Sequence, residues 1–475
     1  MLFNSFEFLL FLFIVFLLHW VALKNNRSRA WMLLVASCVF YMFFVPAYIL
    51  ILFITIIIDY TAGIYIAKSQ GRRRKWYLIL SIISTCLVLF VFKYCNFFIS
   101  NFNAVAEFTG LHYSIDILKI ILPIGLSFHT FQSLSYVIEV YRKQQEPEKD
   151  FVIYSLYVMY FPQLVAGPIE RAGNLLHQFH REKQFSYALA SEGIRQIIWG
   201  FFKKIVVADT CAGYANFVFE NYDHLPAPTI IIGAIAFSFQ IYGDFSGYSD
   251  IALGTSKLFG IQLMTNFRFP YLATNIIEFW RRWHISLSTW FRDYVYFPMG
   301  GSKSSGWKLY RNVFTIFLLS GFWHGANWTF IIWGLIHAII YCLYVLIFGR
   351  NSSSAKKSDV HLITQWMGGI LTFLVVSIAW VFFRAPDTET AFQLLTSIAT
   401  NGFSGDSNAD FFHLFILLIP FQIFEYINRH NTSGVPLSQF HLNRPWRIVM
   451  DTFFVLLIVD CYYSLNHEQF IYFQF

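Results

Sequence analysis

One short segment of the sequence concentrates residues that bind anions and move protons. Residues 279–294 read FWRRWHISLSTWFRDY, an arginine pair, a histidine and two serines set among aromatic residues. On one continuous helix, the residues that share a face are Arg281, His284, Ser288 and Phe291. Glu278 lies three and four residues before the two arginines, within pairing distance. Two interpretations remain open: an interfacial helix anchored by tryptophan and arginine, or a cavity-lining helix whose cations hold an anionic substrate.

A second segment places a histidine near the middle of a long uncharged stretch. Residues 312–349 contain no Asp, Glu, Lys or Arg, and these 38 residues suffice for two membrane crossings. Gly321, Gly325 and Asn327 surround His324, which predicts that this histidine lies at a helix break or beside a close helix contact. An imidazole with a pKa near 6.5 takes and returns protons, as a general base must. A structural role and a catalytic role both remain open for His324.

Other polar residues within apolar segments carry weaker signals. His337 lies 13 residues after His324 and is predicted to occupy another helical face, without a comparable setting. Asp244 and Asp250 point in different directions on a helix, and no His or Glu completes a metal-ligand set beside them. We therefore expect a structural polar network there and no metal site. The sequence contains no Walker, Rossmann or nucleophile-elbow glycine pattern, which argues against a nucleotide-driven pump and an esterase.

The composition shows what kind of scaffold must position these residues. Of the 475 residues, 57% are hydrophobic and only 13% are charged, and the mean hydropathy is +0.52. A water-facing core cannot bury that much apolar surface, so three soluble domains are excluded and a polytopic membrane protein is predicted. Roughly 11 to 13 segments are long enough to cross a bilayer, several of them interrupted by Pro, Gly or charge. We expect an all-α fold with broken or re-entrant helices, organised as one domain over residues 1–475.

The basic residues predict the orientation of this scaffold. The net charge of +7 comes from short Lys and Arg clusters between apolar runs, which are topology signals and not a nucleic-acid-binding face. Clusters follow the first, third and fifth predicted segments, whereas residues 99–113 after the fourth contain no Lys or Arg. This alternation predicts an external N-terminus and cytosolic basic loops. No cleavage site follows the apolar run Phe8–Leu23, so we expect it to remain as the first membrane segment.

The two histidine segments resemble a known family. Residues 279–294 continue into Pro298-Met299-Gly300-Gly301, and Phe322–Thr329 reads FWHGANWT. Both motifs, in this order, are similar to those of the membrane-bound O-acyltransferases, and closer to the alginate and peptidoglycan O-acetyltransferase branch than to the D-alanyl transfer branch. The resemblance also covers residues 166–171 and 244–250. It implies a ring of helices around a tunnel that is open to a cytosolic acyl donor and an external acceptor.

The resemblance also implies roles for particular residues. His324 matches the histidine taken as catalytic in the family, and His284 matches a second, branch-typical histidine that orients the acceptor or stabilises developing charge. The expected substrate-binding residues are Arg281, Arg282, Ser288, Trp323, Asn327 and Trp328. Arg281, Arg282 and the pair Lys203-Lys204 are candidates to attract the phosphates of the donor. No metal or bound cofactor is expected, and acetyl-CoA enters as the acyl-donor substrate.

The implied function is acetyl transfer across a bacterial inner membrane, from cytosolic acetyl-CoA towards an extracytoplasmic polysaccharide such as peptidoglycan or alginate. A periplasmic SGNH-type transferase or esterase is the implied partner. His324 acts either as the base for the acceptor hydroxyl or as a nucleophile that carries the acetyl group. A polytopic transporter or channel with a buried His/Asp proton relay remains an alternative. A lipid or protein acceptor is a further alternative.

Overall fold

The computed structural model describes residues 1–111, 113–165, 167–301, 306–349, 362–403, 411–431, 443–465 and 468–471, without the side chains of residues 362 and 444. Within these ranges the chain forms helices and no strand, which confirms the all-α prediction. Residue contacts divide the chain into two compact units. The first comprises Met1–Ile194 and Ala252–Met264, and the second comprises Arg195–Ile251 and Thr265–Phe475. The expected single domain over residues 1–475 stays a prediction.

The first unit contains nine α-helices among its described residues, together with parts of two helices that also belong to the second. The nine are α1 (Phe6–Leu17), α2 (Asn26–Met42), α3 (Ile49–Lys68), α4 (Gly71–Leu89), α5 (Cys95–Phe108), α6 (Leu126–Tyr141), α7 (Phe151–Met159), α8 (Phe161–Leu164) and α9 (Ala172–His180). Polar side chains join some of these apolar helices. Asp59 of α3 is fully buried and accepts hydrogen bonds from Ser81 at 2.6 Å and Thr85 at 3.0 Å on α4, so its burial is compensated.

The motif at residues 166–171 also lies in the first unit, although Ala166 is outside the described residues. The Glu170 side chain is completely buried and accepts hydrogen bonds from the backbone N–H of Met264 at 2.5 Å and from Asn174 at 2.6 Å. Burial raises the pKa of Glu170 to about 7, against the opposing effect of these hydrogen bonds. This motif therefore ties two chain segments of the unit together.

The second unit carries both histidine segments. The helices shared with the first unit are α10 (Tyr187–Phe201) and α12 (Ala227–Leu258). The others are α11 (Asp209–Asn221), α13 (Ile276–Arg282), α14 (Ile285–Phe291), α15 (Trp307–His324), α16 (Trp328–Phe348), α17 (Leu362–Arg384), α18 (Thr388–Thr400), α19 (Phe412–Asn428) and α20 (Arg444–Ser464). Short π-helical segments interrupt or extend several helices, at Leu18–Ala22, Phe90–Tyr94, Phe202–Ala208 and Arg292–Tyr296.

Five helical segments among the described residues are long and apolar enough to cross a membrane. They are Pro46–Lys68, Gly71–Phe108, Ala227–Leu258, Trp328–Phe348 and Ile363–Arg384. The most apolar 18-residue window of Ala227–Leu258 is 83% buried, against 22% for that of Gly71–Phe108. A polytopic membrane protein is thus confirmed, with α12 enclosed by protein and α4 and α5 presenting apolar surface to lipid. The full number of crossings and the orientation stay predictions.

The segment around the arginine pair is broken, as the fold prediction allowed. Helices α13 and α14 have seven residues each and are separated by Trp283 and His284. His284 adopts a left-handed backbone conformation with φ of 43°, so the chain turns sharply at this residue. The prediction that Arg281, His284 and Ser288 share one helical face is therefore wrong, because no continuous helix carries them.

Candidate active site

The break between α15 and α16 places His324 at the end of a helix. His324 is the last residue of α15, Gly325 is extended, and Asn327 caps α16 by accepting the backbone N–H of Thr329. The two helices pack closely. A Cβ atom on Gly321 would lie 2.2 Å from the carbonyl oxygen of Phe330, so only glycine permits this approach. The predictions of a helix break and of a close helix contact beside His324 are both confirmed.

Aromatic rings surround the imidazole of His324. The residue is 4% exposed. Its ring centroid lies 4.9 Å from that of Trp323, 5.1 Å from Trp333 and 5.2 Å from Phe383, with interplanar angles of 71–85°. Such perpendicular contacts fix the ring by the preferred geometry of aromatic pairs. These ring contacts therefore help to hold the imidazole of His324 in place.

His284 is instead oriented by a hydrogen bond. It is 1% exposed, and its Nδ1 lies 3.1 Å from Asn266 Oδ1. The same oxygen accepts the backbone N–H of Ser286 at 3.2 Å and its hydroxyl at 2.9 Å, which identifies it as the amide oxygen. Nδ1 therefore carries the imidazole proton, and Nε2 is the basic nitrogen. Burial lowers the pKa of His284, which lies outside the five candidate spans, so the ring is neutral near pH 7.

The two histidines flank one tryptophan. Trp323 is 4% exposed, and its centroid lies 6.1 Å from that of His284 and 4.9 Å from that of His324. Phe245 of α12 packs perpendicular to His284 at 4.7 Å. The structure thus brings together three residues that the sequence assigned to the site, in an apolar, buried setting.

His337 belongs to the same group of rings, so the prediction that it lacks a comparable setting is wrong. It is fully buried, and its centroid lies 4.9 Å from Trp333, the ring that also contacts His324. It also packs against Trp280, with ring centroids 4.9 Å apart. Both ring nitrogens of His337 are buried without a hydrogen-bond partner among the described residues, an arrangement that costs about 1–3 kcal/mol per group.

A cavity of about 670 Å³ lies beside these rings, within the size range of small-molecule sites. Its lining includes the predicted substrate-binding residues Arg281 and Ser288, with apolar side chains from α15 and α16. Ser320 also lines it and precedes His324 by four residues on α15. One helical turn, about 5.4 Å, thus separates the cavity wall from His324 along this helix. Trp280 forms another part of the wall.

Of three other predicted substrate-binding residues, Arg282 and Asn327 make contacts that stabilise the scaffold. Arg282 pairs with Glu278 at 2.6 Å, as the spacing predicted, and donates to the carbonyl oxygen of Phe269. Asn327 caps α16 and donates to the carbonyl oxygen of Pro386 at 2.8 Å. Trp328 is 52% exposed at the start of α16. None of the three lines the cavity, and their roles in substrate binding stay predictions.

The lysine pair is not available to donor phosphates, which corrects the expectation for Lys203 and Lys204. Both are buried, at 4% and 1% exposure. Lys203 forms an ion pair with Asp250. Lys204 Nζ lies 2.7 Å from Asp209 Oδ1 and 2.9 Å from Asp244 Oδ1. The expected structural network at Asp244 and Asp250 is therefore present, and the lysines complete it.

Sequence reasoning missed Asn266 and Trp333, and it wrongly placed His337 outside the group around His324. Asn266 lies 18 residues before His284 in a segment without helical periodicity, and no local pattern connects the two. Trp333 and His337 lie on α16 four residues apart, and this spacing on one helical face was the available signal.

Among the described residues, no group of three or more His, Cys, Asp or Glu side chains could hold a metal ion.

Known proteins are similar to this chain over most of its length. A sequence model of the membrane-bound O-acyltransferase family matches residues 76–379. A protein described as "probable alginate O-acetylase" from Pseudomonas aeruginosa is 38% identical over 408 residues, 85% of this chain and 75% of that protein. The peptidoglycan O-acetyltransferase of Helicobacter pylori is 35% identical over 412 residues, 80% of this chain and 76% of its own. The teichoic acid D-alanyltransferase of Bacillus subtilis is 30% identical over 284 residues, 55% of this chain.

These similarities agree with the branch that the motifs indicated, since the O-acetylating relatives match at higher identity and over more of the chain than the D-alanyltransferase. The resemblance drawn from residues 279–294 and 322–329 is confirmed, as is acyl transfer as the class of reaction. The chain belongs to the membrane-bound O-acyltransferase family and is a multi-pass membrane acyltransferase.

Proposed function

We propose that this protein is an O-acetyltransferase of a bacterial inner membrane, which takes acetyl groups from cytosolic acetyl-CoA and delivers them to an extracytoplasmic polysaccharide. The observation that carries the proposal is the position of His324, buried at a helix break and one turn from a cavity of about 670 Å³. The names of the relatives from Pseudomonas aeruginosa and Helicobacter pylori support acetyl transfer and a polysaccharide acceptor.

In this proposal His324 is the general base. Its imidazole takes the proton from an acceptor hydroxyl, and the oxygen attacks the carbonyl carbon of the acetyl thioester. The tetrahedral intermediate then breaks the C–S bond, an ester C–O bond remains, and the departing thiolate receives the proton from the imidazolium. In a second route the imidazole nitrogen attacks the thioester carbonyl, and the C–S bond breaks to release the CoA thiolate. The acceptor oxygen then attacks the acetyl carbonyl, the C–N bond to His324 breaks, and the hydroxyl proton passes to the thiolate. Rapid quenching and mass analysis of the His324 peptide distinguish the two routes.

His284 suits one of its two expected roles better than the other. Because Asn266 engages the protonated Nδ1, the remaining Nε2 accepts a hydrogen bond and has no proton to donate. An accepting nitrogen holds an acceptor hydroxyl, whereas stabilising an oxyanion needs a donor. We therefore assign His284 to the orientation of the acceptor, with Trp323 between it and His324.

The cavity is our candidate site for part of the donor. Arg281 and Arg292 bring positive charge to its wall, and apolar residues such as Val313 and Phe317 cover the rest. This combination suits a molecule with phosphates at one end and an uncharged thioester arm at the other. Ser288 and Ser320 add hydroxyl groups along the wall. No metal or bound cofactor is part of the proposal.

A partner protein completes the proposed pathway. A periplasmic SGNH-type transferase or esterase would place the acetyl group on the polysaccharide, as the family resemblance implies. The molecule that accepts the acetyl group from the membrane protein is then either the polysaccharide itself or this partner.

The test is acetyl transfer in inverted vesicles that contain the purified protein, with labelled acetyl-CoA on the cytosolic face. His324→Ala is compared with His19→Ala, which removes another buried histidine packed between Trp20 and Phe259. Label transfer or CoA release in wild type and His19→Ala, but not in folded His324→Ala, supports the proposal. If wild type consumes no acetyl-CoA even with a periplasmic partner added, the donor assignment fails and a transporter with a proton relay becomes the better account.

A further inference from the structure

Histidine and tryptophan rings alternate in an unbroken series beside the cavity. In order of contact these rings, which we call the ring array, are Trp280, His337, Trp333, His324, Trp323 and His284. The first four contacts have centroid separations of 4.9–5.1 Å and interplanar angles of 71–85°. Trp280 lines the cavity, and the other end of the array is His284. A displacement of one ring in such a close-packed series moves its neighbours.

His337 is chemically unusual within this array. It is fully buried on α16, and rings enclose it on several sides, including Phe317, stacked at 6.0 Å. A phenylalanine would fill the same space without burying two ring nitrogens. Neither nitrogen has a hydrogen-bond partner among the described residues, and nor do Nε1 of Trp280 and Nε1 of Trp333. A buried polar group without such a partner needs an explanation beyond packing.

The perpendicular geometry of the rings supplies an explanation for the buried nitrogens of His337. An imidazole N–H carries positive charge on the ring edge, and an indole face is negative. The interplanar angles of His337 are 84° to Trp280 and 72° to Trp333, the near-perpendicular geometry of edge-to-face pairs. An N–H edge directed at an indole face depends on orientation, which the packing of a phenylalanine edge reproduces only in part. Such a contact with Trp333 would restrict the tilt of that indole.

We propose that His337 is a positioning residue for acetyl transfer: it fixes the tilt of Trp333, the ring against which His324 packs. The inference rests on the proposed function, because it requires a reaction at His324. His337 does not line the cavity, and its effect therefore falls on the reaction step and not on the binding of the donor.

The experiment measures kcat and KM for acetyl-CoA in the vesicle assay for His337→Phe, His337→Gln and Trp333→Phe. We expect His337→Phe to lower kcat about 10- to 100-fold, the effect of a small misplacement of a catalytic group, with KM for acetyl-CoA within about twofold of wild type. His337→Gln keeps an N–H donor and is expected to recover part of kcat. His19→Phe is the matched control, since it replaces a buried histidine whose two nitrogens also have no hydrogen-bond partner among the described residues, and it should leave both constants unchanged.

A double variant tests the route through Trp333. If His337 acts through that ring, His337→Phe combined with Trp333→Phe lowers kcat no further than the larger single effect, because coupled residues are not additive. Full multiplication of the two effects would overturn the route. If His337→Phe does not fold, as judged by size-exclusion chromatography, His337→Gln and Trp333→Phe decide the question by the same split between kcat and KM.

The outcomes separate this inference from the proposed function. Wild-type kcat in His337→Phe, together with loss of activity in His324→Ala, overturns the inference alone. A kcat loss of equal size in His19→Phe also overturns it, since the effect would then be general to buried histidines. Absence of acetyl transfer in wild type overturns the proposed function instead.

Discussion

Lys204 and His337 are almost equally buried, at 1% and 0% exposure, yet their surroundings differ in kind. The ammonium of Lys204 has three N–H groups and three oxygens within 2.9 Å, from Asp209, Asp244 and the carbonyl of Glu468. Aromatic rings surround the imidazole of His337, and neither of its nitrogens has a hydrogen-bond partner among the described residues. The buried charge of Lys204 therefore has compensating partners, whereas the buried nitrogens of His337 have none among these residues.

This difference distinguishes the ion-pair network around Lys204 from the ring array around His337. A buried ion with complete partners is fixed, and moving it would break several contacts at once. Buried rings with basic nitrogens and few polar contacts keep their proton chemistry available. The cations that looked in sequence like ligands for phosphate, Lys203 and Lys204, therefore belong to the scaffold, whereas the histidines among aromatic residues belong to the candidate site.

The largest effect on stability is expected from a substitution in the ion-pair network around Lys204. Lys204→Met removes the cation from between Asp209 and Asp244, and both carboxylates then remain buried without it. We expect the free energy of unfolding to fall by about 3–5 kcal/mol, measured as thermal unfolding in detergent. Asp451→Asn is the control, because the Arg195–Asp451 pair is about one-third exposed and such pairs contribute about 1 kcal/mol or less. Equal losses in the two variants would contradict the distinction.

The second effect concerns the hydrogen bond that orients His284. Asn266→Ala removes the acceptor that holds Nδ1 of His284, and we expect kcat to fall about 10- to 100-fold, as for the loss of other groups that orient a functional histidine. Asn266→Asp keeps an acceptor and adds negative charge next to the imidazole. Since burial lowers the pKa of His284, the new charge should raise it, and the acidic limb of the kcat profile should move to higher pH.

An unchanged pH profile in Asn266→Asp, with normal expression and unfolding temperature, would show that His284 does not take part in the rate-limiting step. Asn275→Asp is a suitable control for the charge itself. Asn275 caps α13 by accepting the backbone N–H of Glu278 at 2.9 Å and donates to the hydroxyl of Thr274, and neither of these partners belongs to the ring array.

Much of the fold follows from local sequence, and the break at residues 325–327 shows why. Glycines and an asparagine interrupt an apolar run there, and the same residues permit the close approach of α15 and α16 and cap α16. Local sequence and tertiary packing demand the same residues, so the prediction was correct. The family resemblance carried by the motifs also placed His324 and His284 in the candidate site, and the structure brings both against Trp323.

The break at His284 could not be predicted in this way. The side-chain pattern continues through it, and the turn depends on a distant segment. Ile285 donates its backbone N–H to the carbonyl of Asn266 at 2.9 Å, and Arg268 donates to the carbonyl of Arg282 at 3.0 Å. The partners of Lys204 are similarly remote, since Glu468 lies 264 residues away. Contacts of this range carry no periodic signal in the sequence.

The third effect tests whether the array needs the close approach of its two helices. Gly321→Ala places a Cβ atom 2.2 Å from the carbonyl oxygen of Phe330, so α15 and α16 must separate locally. We expect the free energy of unfolding to fall by about 1–3 kcal/mol. We also expect a loss of kcat, because His324 and Trp333 lie on opposite sides of this helix contact. Gly213→Ala is the control, since a Cβ atom there meets nothing within 4 Å. A stable Gly321→Ala protein with full activity would show that the array tolerates the displacement.

The smallest effect is expected at Arg281, whose charge is exposed, whereas Lys204 and His337 are buried. Arg281 is exposed at the wall of the cavity, where water screens its interaction with a bound anion. Such a charge contributes at most about 1 kcal/mol, so Arg281→Ala should raise KM for acetyl-CoA about 2- to 5-fold and leave kcat unchanged. Arg292 also lines the cavity but pairs with Asp293 at 2.8 Å, and Arg292→Ala should change KM less. Because salt screens exposed charges, the difference in KM between wild type and Arg281→Ala should shrink as ionic strength rises. If the difference in KM persists at high salt, Arg281 binds the donor by a hydrogen bond from which water is excluded. Arg281 would then behave as a buried charge when the donor is bound, and not as an exposed one.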